Sequence, residues 1–321
     1  MRKAAFVLSP AVFDDVYGPS MARIRTMTEV MHEPPGPIDP ADMADVRVLF
    51  SSWGAPVLDQ TLLDAAPRLE IVLYAAGSVR AITTPEFWAR GIPLVSAYQG
   101  NAVPVADFTL AQITLALKGA FQYALRARAD RAPATLVERP GLYGSRVGLL
   151  SLGAVGRMVA DRLRPFNVEV LAHDPYARSY PGVRLVGIEE LFATCDVVSV
   201  HTPLLPATRG LVGRELLDSM KLGATLINTA RGAVIDEHAL VDVLTERPDL
   251  FAALDVTDPE PPEPGSPLFT LPNVMLTPHI AGALGGERGA LGELVVDELA
   301  RFLAGEPLRH ALTERSAALL A

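Results

Sequence analysis

Short, continuously apolar runs alternate with helix-period segments along nearly the whole chain. The runs occupy residues 4–8, 46–50, 71–75, 93–96, 147–150, 168–172, 197–200, 225–228, 252–255 and 274–276. A strand with one face in water alternates polar and apolar residues. Runs without that alternation belong to parallel strands covered on both faces. Between them, Met21, Ile24, Met27 and Val30 step by three along one helical face, and Leu291, Val295, Leu299 and Phe302 by three or four. Strands that alternate with amphipathic helices predict an α/β fold built from crossover units.

Ten strands are many for one open sheet, so the chain is expected to split. The first four runs, ending near Gly100, make a small α/β unit, and the six from Val147 onward suit a nucleotide-binding fold. Residues 104–118 read as a helix between the halves, with Pro104 at its start and Asp107 in its early turns. The last helix, residues 287–303, can return to either unit. The loop 258–266 is rich in proline and acid, which predicts a stiff, solvent-facing segment.

Composition removes several classes of function. With 28 Lys and Arg against 37 Asp and Glu, the net charge of −9 argues against non-specific nucleic-acid binding, which needs cationic surface to neutralise phosphates. The single cysteine, Cys195, excludes an intramolecular disulfide and a Cys-based zinc site, and no metal is expected. It is expected to pack in the helix before the 197–200 run. The longest uncharged stretch, residues 264–286, holds four prolines, so no apolar membrane helix is expected. Five apolar residues after Arg2-Lys3 are too few for the core of a signal peptide, which predicts a cytoplasmic protein.

The strand 147–150 runs into Ser151-Leu152-Gly153-Ala154-Val155-Gly156, a GxGxxG pattern with serine in the first place. Gly153 lets the main chain approach a pyrophosphate, Gly156 lets the following helix pack closely, and the helix N-terminus offers free N–H groups to the phosphates. The next strand ends in Asp174, 18 residues after Gly156, where a carboxylate accepts hydrogen bonds from ribose hydroxyls and repels a 2′-phosphate. That favours NAD over NADP, with Arg178 nearby as a counterweight. A tight turn that binds nothing carries the same glycines; the flanking strand, helix and acid tip the balance towards a nucleotide. Ser151 weakens the motif, because a residue with a Cβ tolerates such a turn less well than glycine.

Chemistry in a doubly wound sheet sits beyond the carboxyl ends of its strands. Arg231, Glu260 and His279 fall there, and His201 is a comparable candidate on spacing alone. Each also has a plain structural reading: a helix cap, a solvated loop charge among prolines, a hydrogen-bonded histidine. From the residues alone the chain is an NAD-binding oxidoreductase whose active site stays open.

Ordered segments over about residues 45–305 resemble the D-isomer-specific 2-hydroxyacid dehydrogenase family. They are Pro67-Arg68-Leu69, Ala106-Asp107-Phe108-Thr109-Leu110, the glycine turn, Asp174-Pro175, His201-Thr202-Pro203-Leu204, the 228–232 run, residues 255–261, and Leu271-Pro272-Asn273 through Gly282. The resemblance implies two similar doubly wound domains around a cleft, a Rossmann-type NAD-binding domain (residues 101–289) inserted into a flavodoxin-like substrate domain (residues 1–100 and 290–321). It implies a homodimer paired through the NAD-binding domains. The family's catalytic arginine maps onto Arg231, its acid onto Glu260 and its histidine onto His279. Arg231 would bind the substrate carboxylate and carbonyl oxygen and stabilise charge there. His279 would exchange a proton with that oxygen as hydride moves, and Glu260 would favour its imidazolium form.

Asp255 maps onto the acid that bonds the nicotinamide amide. Ser151, Gly153, Ala154, Val155, Gly156, Asp174, His201, Thr202, Pro203, Thr229, Ala230 and His279 complete the implied cofactor contacts. Main-chain N–H groups near Gly77, Ser78 and Val79 would hold the substrate carboxylate, with Asn101 facing the cleft. Ser78 stands where that loop usually has glycine, and Arg80 and Ala81 replace a common Asp-Asn pair. Arg80 therefore predicts either a more cationic pocket mouth, suited to an acidic or phosphorylated substrate, or an ordinary surface arginine.

The implied activity is NAD-dependent reduction of a small 2-oxo acid such as glyoxylate, hydroxypyruvate or pyruvate. A 3-phosphoglycerate dehydrogenase is a variant of this reading, although the chain is short for the regulatory C-terminal domain many of those carry. Glu260 argues against a formate-dehydrogenase-like role, where glutamine is usual. The second class is a non-enzymatic NAD(H) sensor like the C-terminal-binding corepressors, which retain the same three residues.

Overall fold

A computed structural model describes residues 1–34, 40–135 and 141–320. The chain divides into two compact units, Met1–Ala102 with Ala283–Leu320, and Val103–Gly282.

The first unit is built on five parallel strands, β1 (Arg2–Val7), β2 (Thr28–His32), β3 (Val48–Ser51), β4 (Ile71–Tyr74) and β5 (Leu94–Ser96), ordered β5-β4-β3-β1-β2. This is the flavodoxin-like order, with the reversal between β1 and β3. β3 is buried along its whole length and β1 at Ala4, Ala5 and Phe6, because helices cover both faces. On one face Phe6 of β1 stacks on Phe50 of β3 at 4.7 Å between ring centroids. Tyr17 meets both edge-on, and its hydroxyl donates to the Ser51 carbonyl at 2.8 Å, which satisfies a polar atom in an apolar core.

The second unit is a seven-stranded parallel sheet. Its strands are β6 (Ser145–Leu150), β7 (Val168–His173), β8 (Val183–Leu185), β9 (Val197–Val200), β10 (Thr225–Asn228), β11 (Phe251–Leu254) and β12 (Val274–Leu276). The order β12-β11-β10-β9-β6-β7-β8 is the Rossmann arrangement, reversing between β6 and β9. Alternate residues enter opposite cores: Leu150, Val198, Leu226 and Leu254 on one side, Leu149, Val197, Ile227 and Ala253 on the other. The unbroken apolar runs are thus explained by burial on both faces. The chain then returns to the first unit, where the helix Gly286–Ala304 contributes Leu291, Val295, Val296 and Leu299 to the core around Phe6. A sixth strand, β13 (Ala311–Leu312), pairs antiparallel with β5.

Several expectations need correction. The helix read through Val30 ends at Met27; Thr28 is extended at φ −135°, and its hydroxyl donates to the Ile24 carbonyl at 3.0 Å. Thr28 and Val30 are β-branched and join the edge strand β2, a tertiary pairing with β1 that three-residue spacing cannot reveal. The helix read from Pro104 begins six residues earlier and spans Tyr98–Leu117, with the proline inside. Its start is set by Ser96, whose hydroxyl accepts from the Tyr98 N–H at 3.2 Å, and the missing proline N–H removes one helical bond near that start. The expected domain change at 289/290 lies at 282/283 in the structure, because the whole 286–304 helix packs into the first unit. Residue 321, the end of the expected substrate domain, lies outside the described residues. Cys195 sits just past the helix Ile188–Thr194, fully buried.

Candidate active site

All strands of the second sheet are parallel, so their exits share one edge. The turn after β6, Asp174 after β7, His201 to Pro203 after β9, Thr229 to Arg231 after β10, Asp255 to Glu260 after β11 and His279 after β12 all leave from it.

The glycine turn is held by main chain. Ser151 takes a left-handed φ of 83°, its N–H donates to the His173 carbonyl at 2.8 Å, and its hydroxyl lies 2.9 Å from that of Thr202. Gly153 caps the helix Ala154–Leu163 in extended geometry with no side-chain cap, and Ala154 and Val155 open that helix. A Cβ on Gly153 would meet nothing within 4 Å, so no side chain or backbone crowds the turn there, and no side chain caps the helix start. Gly156 is required for the opposite reason: a Cβ there would lie 2.2 Å from the Ser151 carbonyl oxygen. Asp174 ties the turn to β7, accepting from Leu152 N–H at 2.7 Å on Oδ2 and from Tyr176 and Ala177 N–H at 2.8 and 3.1 Å on Oδ1. With one donor on Oδ2, that oxygen retains a lone pair for a hydroxyl.

His201 is 7% exposed, and neither ring nitrogen has a hydrogen-bond partner among the described residues. Burial pushes its imidazole down to about 4, so the ring is neutral at pH 7. An uncapped helix start, a side-chain-free Gly153, a carboxylate with acceptor capacity and an orphaned imidazole fit a phosphate-linked nucleotide better than they fit a closed structural turn.

Across the sheet, His279 Nδ1 lies 2.6 Å from Glu260 Oε1. The histidine backbone is left-handed (φ 54°), an uncommon state for a non-glycine residue that clusters at functional sites. Asp255 imposes it. This carboxylate is 2% exposed and accepts from Thr277 hydroxyl at 2.6 Å, Ile280 N–H at 2.9 Å and Ala281 N–H at 2.9 Å, while the Asp255 carbonyl takes the His279 N–H at 2.9 Å. Nδ1 faces an acid, so Nε2 is the nitrogen left for exchange with another group.

Arg231 follows β10 in a turn closed by Asn228, whose side-chain amide donates to the Arg231 carbonyl and accepts from the Ala230 N–H, each at 3.0 Å. The Arg231 guanidinium donates to the Ala230 carbonyl at 2.6 Å, and the Thr229 hydroxyl pairs with that of Thr109 at 2.9 Å. Gly232 was not singled out from the sequence. A Cβ on it would fall 2.0 Å from the Thr257 carbonyl carbon, so the Arg231 and Glu260 loops touch backbone to backbone there. Gly232→Ala is expected to destabilise the chain by about 1–3 kcal/mol, as overpacking does. Urea denaturation checks this, and an unchanged midpoint would show that the contact yields freely. Asn228 and Thr277 were also missed; for Asn228 the available signal was an asparagine closing an otherwise apolar run.

The other expected residues belong to the first unit. Gly77, Ser78 and Val79 follow β4, and their N–H groups donate no hydrogen bond among the described residues. The Ser96 hydroxyl donates to the Gly77 carbonyl at 2.7 Å, and the Ser78 hydroxyl sits 3.5 Å from the Arg80 N–H. The Asn101 side-chain oxygen accepts from the Ala283 N–H at 2.9 Å. No helix among the described residues is long and apolar enough to cross a membrane.

Residues 110–281 match the family described as D-isomer specific 2-hydroxyacid dehydrogenase, NAD binding domain. The D-3-phosphoglycerate dehydrogenase of Archaeoglobus fulgidus is 32% identical over 79% of this chain and 49% of that protein, so the chain spans about half the length of such relatives. The glyoxylate reductase of Thermofilum pendens is 34% identical over 78% of the chain and 76% of its own length. Among solved structures, a D-isomer specific 2-hydroxyacid dehydrogenase from Xanthobacter autotrophicus Py2, in complex with NADPH and MES, superposes with a TM-score of 0.80. It is 26% identical, over 98% of this chain and 99% of that one.

Proposed function

Because this chain belongs to the D-isomer-specific 2-hydroxyacid dehydrogenase family, we propose that it interconverts a small 2-oxo acid and its D-2-hydroxy acid with NAD(H) as hydride carrier. The observation that carries this reading is the 2.6 Å His279–Glu260 pair, on a strand-exit loop that Asp255 holds rigid. Bound at the glycine turn, the dinucleotide supplies or accepts the hydride.

The chain's own residues do the rest. The second unit acts as the NAD-binding domain, where uncapped N–H groups of the 154–163 helix take the pyrophosphate and Asp174 takes the adenosine ribose. His201, Thr202, Pro203, Thr229 and Ala230 form further wall, and Asp255 offers its remaining lone pair to the nicotinamide amide. Arg231 binds the substrate carboxylate and the oxygen on which charge develops. His279 delivers a proton from Nε2 to that oxygen during reduction and removes it during oxidation, while Glu260 holds the Nδ1 proton and balances the imidazolium. The first unit serves as the substrate domain, with N–H groups of Gly77, Ser78 and Val79 for the carboxylate and Asn101 beside them. Glyoxylate, hydroxypyruvate and pyruvate are the substrate class, and the working form is a cytoplasmic homodimer paired through the NAD-binding domains.

Single-turnover oxidation of NADH against a panel of 2-oxo acids tests the reading. Turnover with at least one supports it. Tight NADH binding with complete inertness would replace it with a nucleotide sensor.

Asp174 decides the nucleotide. Its negative charge opposes a 2′-phosphate, so Asp174→Asn is expected to narrow the preference for NADH over NADPH by about tenfold, the effect of roughly 1.4 kcal/mol. Dissociation constants for both nucleotides measure this; an unchanged ratio would place the discrimination elsewhere.

A further inference from the structure

Ser151 is an anomaly the general reading leaves unexplained. Its left-handed φ of 83° is a conformation in which a Cβ is strained and glycine is not. Strain of this kind persists where the surroundings hold it and where it serves a purpose. The residue is half-buried, and its only hydrogen-bonding side-chain neighbour among the described residues is the Thr202 hydroxyl, at 2.9 Å. The Thr202 hydroxyl lies within donor reach of two acceptors, the Leu150 carbonyl at 3.2 Å and Ser151 Oγ at 2.9 Å, and the Leu150 carbonyl also accepts the His201 N–H at 2.9 Å. The threonine has one proton for these two acceptors, and the Leu150 carbonyl keeps the His201 N–H when that proton turns to the shorter contact. With the threonine proton on Ser151 Oγ, the serine proton is free to point elsewhere. The adjacent His201 ring is 7% exposed, and neither nitrogen has a partner among the described residues, so polar groups beside this turn exceed the partners those residues offer.

We propose that the Ser151 hydroxyl, backed by Thr202, donates a hydrogen bond to the ADP-ribose half of the bound dinucleotide, and that this contact is what retains a strained serine in place of glycine. The inference rests on the nucleotide reading above. The serine adds a side-chain donor to a cradle otherwise made of main-chain N–H groups. Thr202 is a positioning residue: it supplies the proton that Ser151 Oγ accepts when its own is turned to the ligand.

The test measures NADH and ADP-ribose affinity by fluorescence or calorimetry, and the Tm of the ligand-free chain, for wild type, Ser151→Ala, Ser151→Gly and Thr202→Val. Both Ser151 variants are expected to weaken NADH and ADP-ribose alike, by about tenfold, as loss of one hydrogen bond to the ligand does. Ligand-free Ser151→Gly is expected to melt about 3 °C above Ser151→Ala, because only glycine relieves the left-handed strain. Thr202→Val should weaken binding less, and not at all when Ser151 is already alanine. Wild-type affinity in Ser151→Ala would overturn the inference, as would a loss confined to NADH with ADP-ribose unaffected. Failure of the wild-type chain to bind NADH or ADP-ribose would instead refute the nucleotide reading on which it rests.

Discussion

His279→Ala is expected to lower turnover with the best 2-oxo acid by about a thousandfold, within the range that a general acid–base contributes. The effect should be chemical rather than structural. The loop that carries the histidine is held by Asp255 through Thr277, Ile280 and Ala281, and by the His279 N–H itself, none of which involves the imidazole. The variant should therefore keep its melting temperature while losing kcat. Glu260→Gln removes the charge facing Nδ1 but keeps a group that can accept its proton, so it should lower kcat less than His279→Ala does. Steady-state kinetics and thermal melts of each variant separate these outcomes. Wild-type turnover in His279→Ala would remove the histidine from the chemistry.

The ligand-free chain is expected to lose about 3 kcal/mol of stability through His201 alone as pH falls from 6.5 towards 4. Burial lowers the folded-state value from 6.5 to about 4, so between these limits the unfolded chain binds a proton that the folded chain refuses. Stability therefore rises with pH across this window; the contribution is complete above 6.5 and lost as pH drops through it. Carboxylates titrate in the same range, but they do so equally in a His201→Gln variant. The difference between the two unfolding curves, measured in urea at several pH values, isolates the histidine. Parallel curves would mean that the ring gains a partner or solvent access that the structure does not show.

The two effects illustrate what was readable in advance. Position in the chain put Arg231, Glu260 and His279 after neighbouring strands, and family resemblance attached chemistry to them. Neither could bring a histidine nitrogen within 2.6 Å of a carboxylate 19 residues away, nor show that Asp255 fastens that loop. His201 was equally visible as a histidine after a strand, yet its isolation depends on the helix packed over it. Edge elements were the least readable. The strands β2, β8 and β13 are short and partly exposed, so none presents the unbroken apolar run that marks a strand covered on both faces.

By itself the sequence determined the α/β alternation, the strands buried on both faces, the glycine turn with its following acid, and membership of a family. These are properties of local order, set by periodicity and by residues a few positions apart. The tertiary structure alone decided which side chains meet. Ser151 finds Thr202 across 51 residues, Asp255 gathers donors 22 to 26 residues away, and Gly232 touches Thr257 because two exits from adjacent strands press together. Such contacts depend on strand order and register, which hydrophobic pattern constrains but does not specify: parallel strands can be arranged in many orders, and only packing of the helices between them selects one.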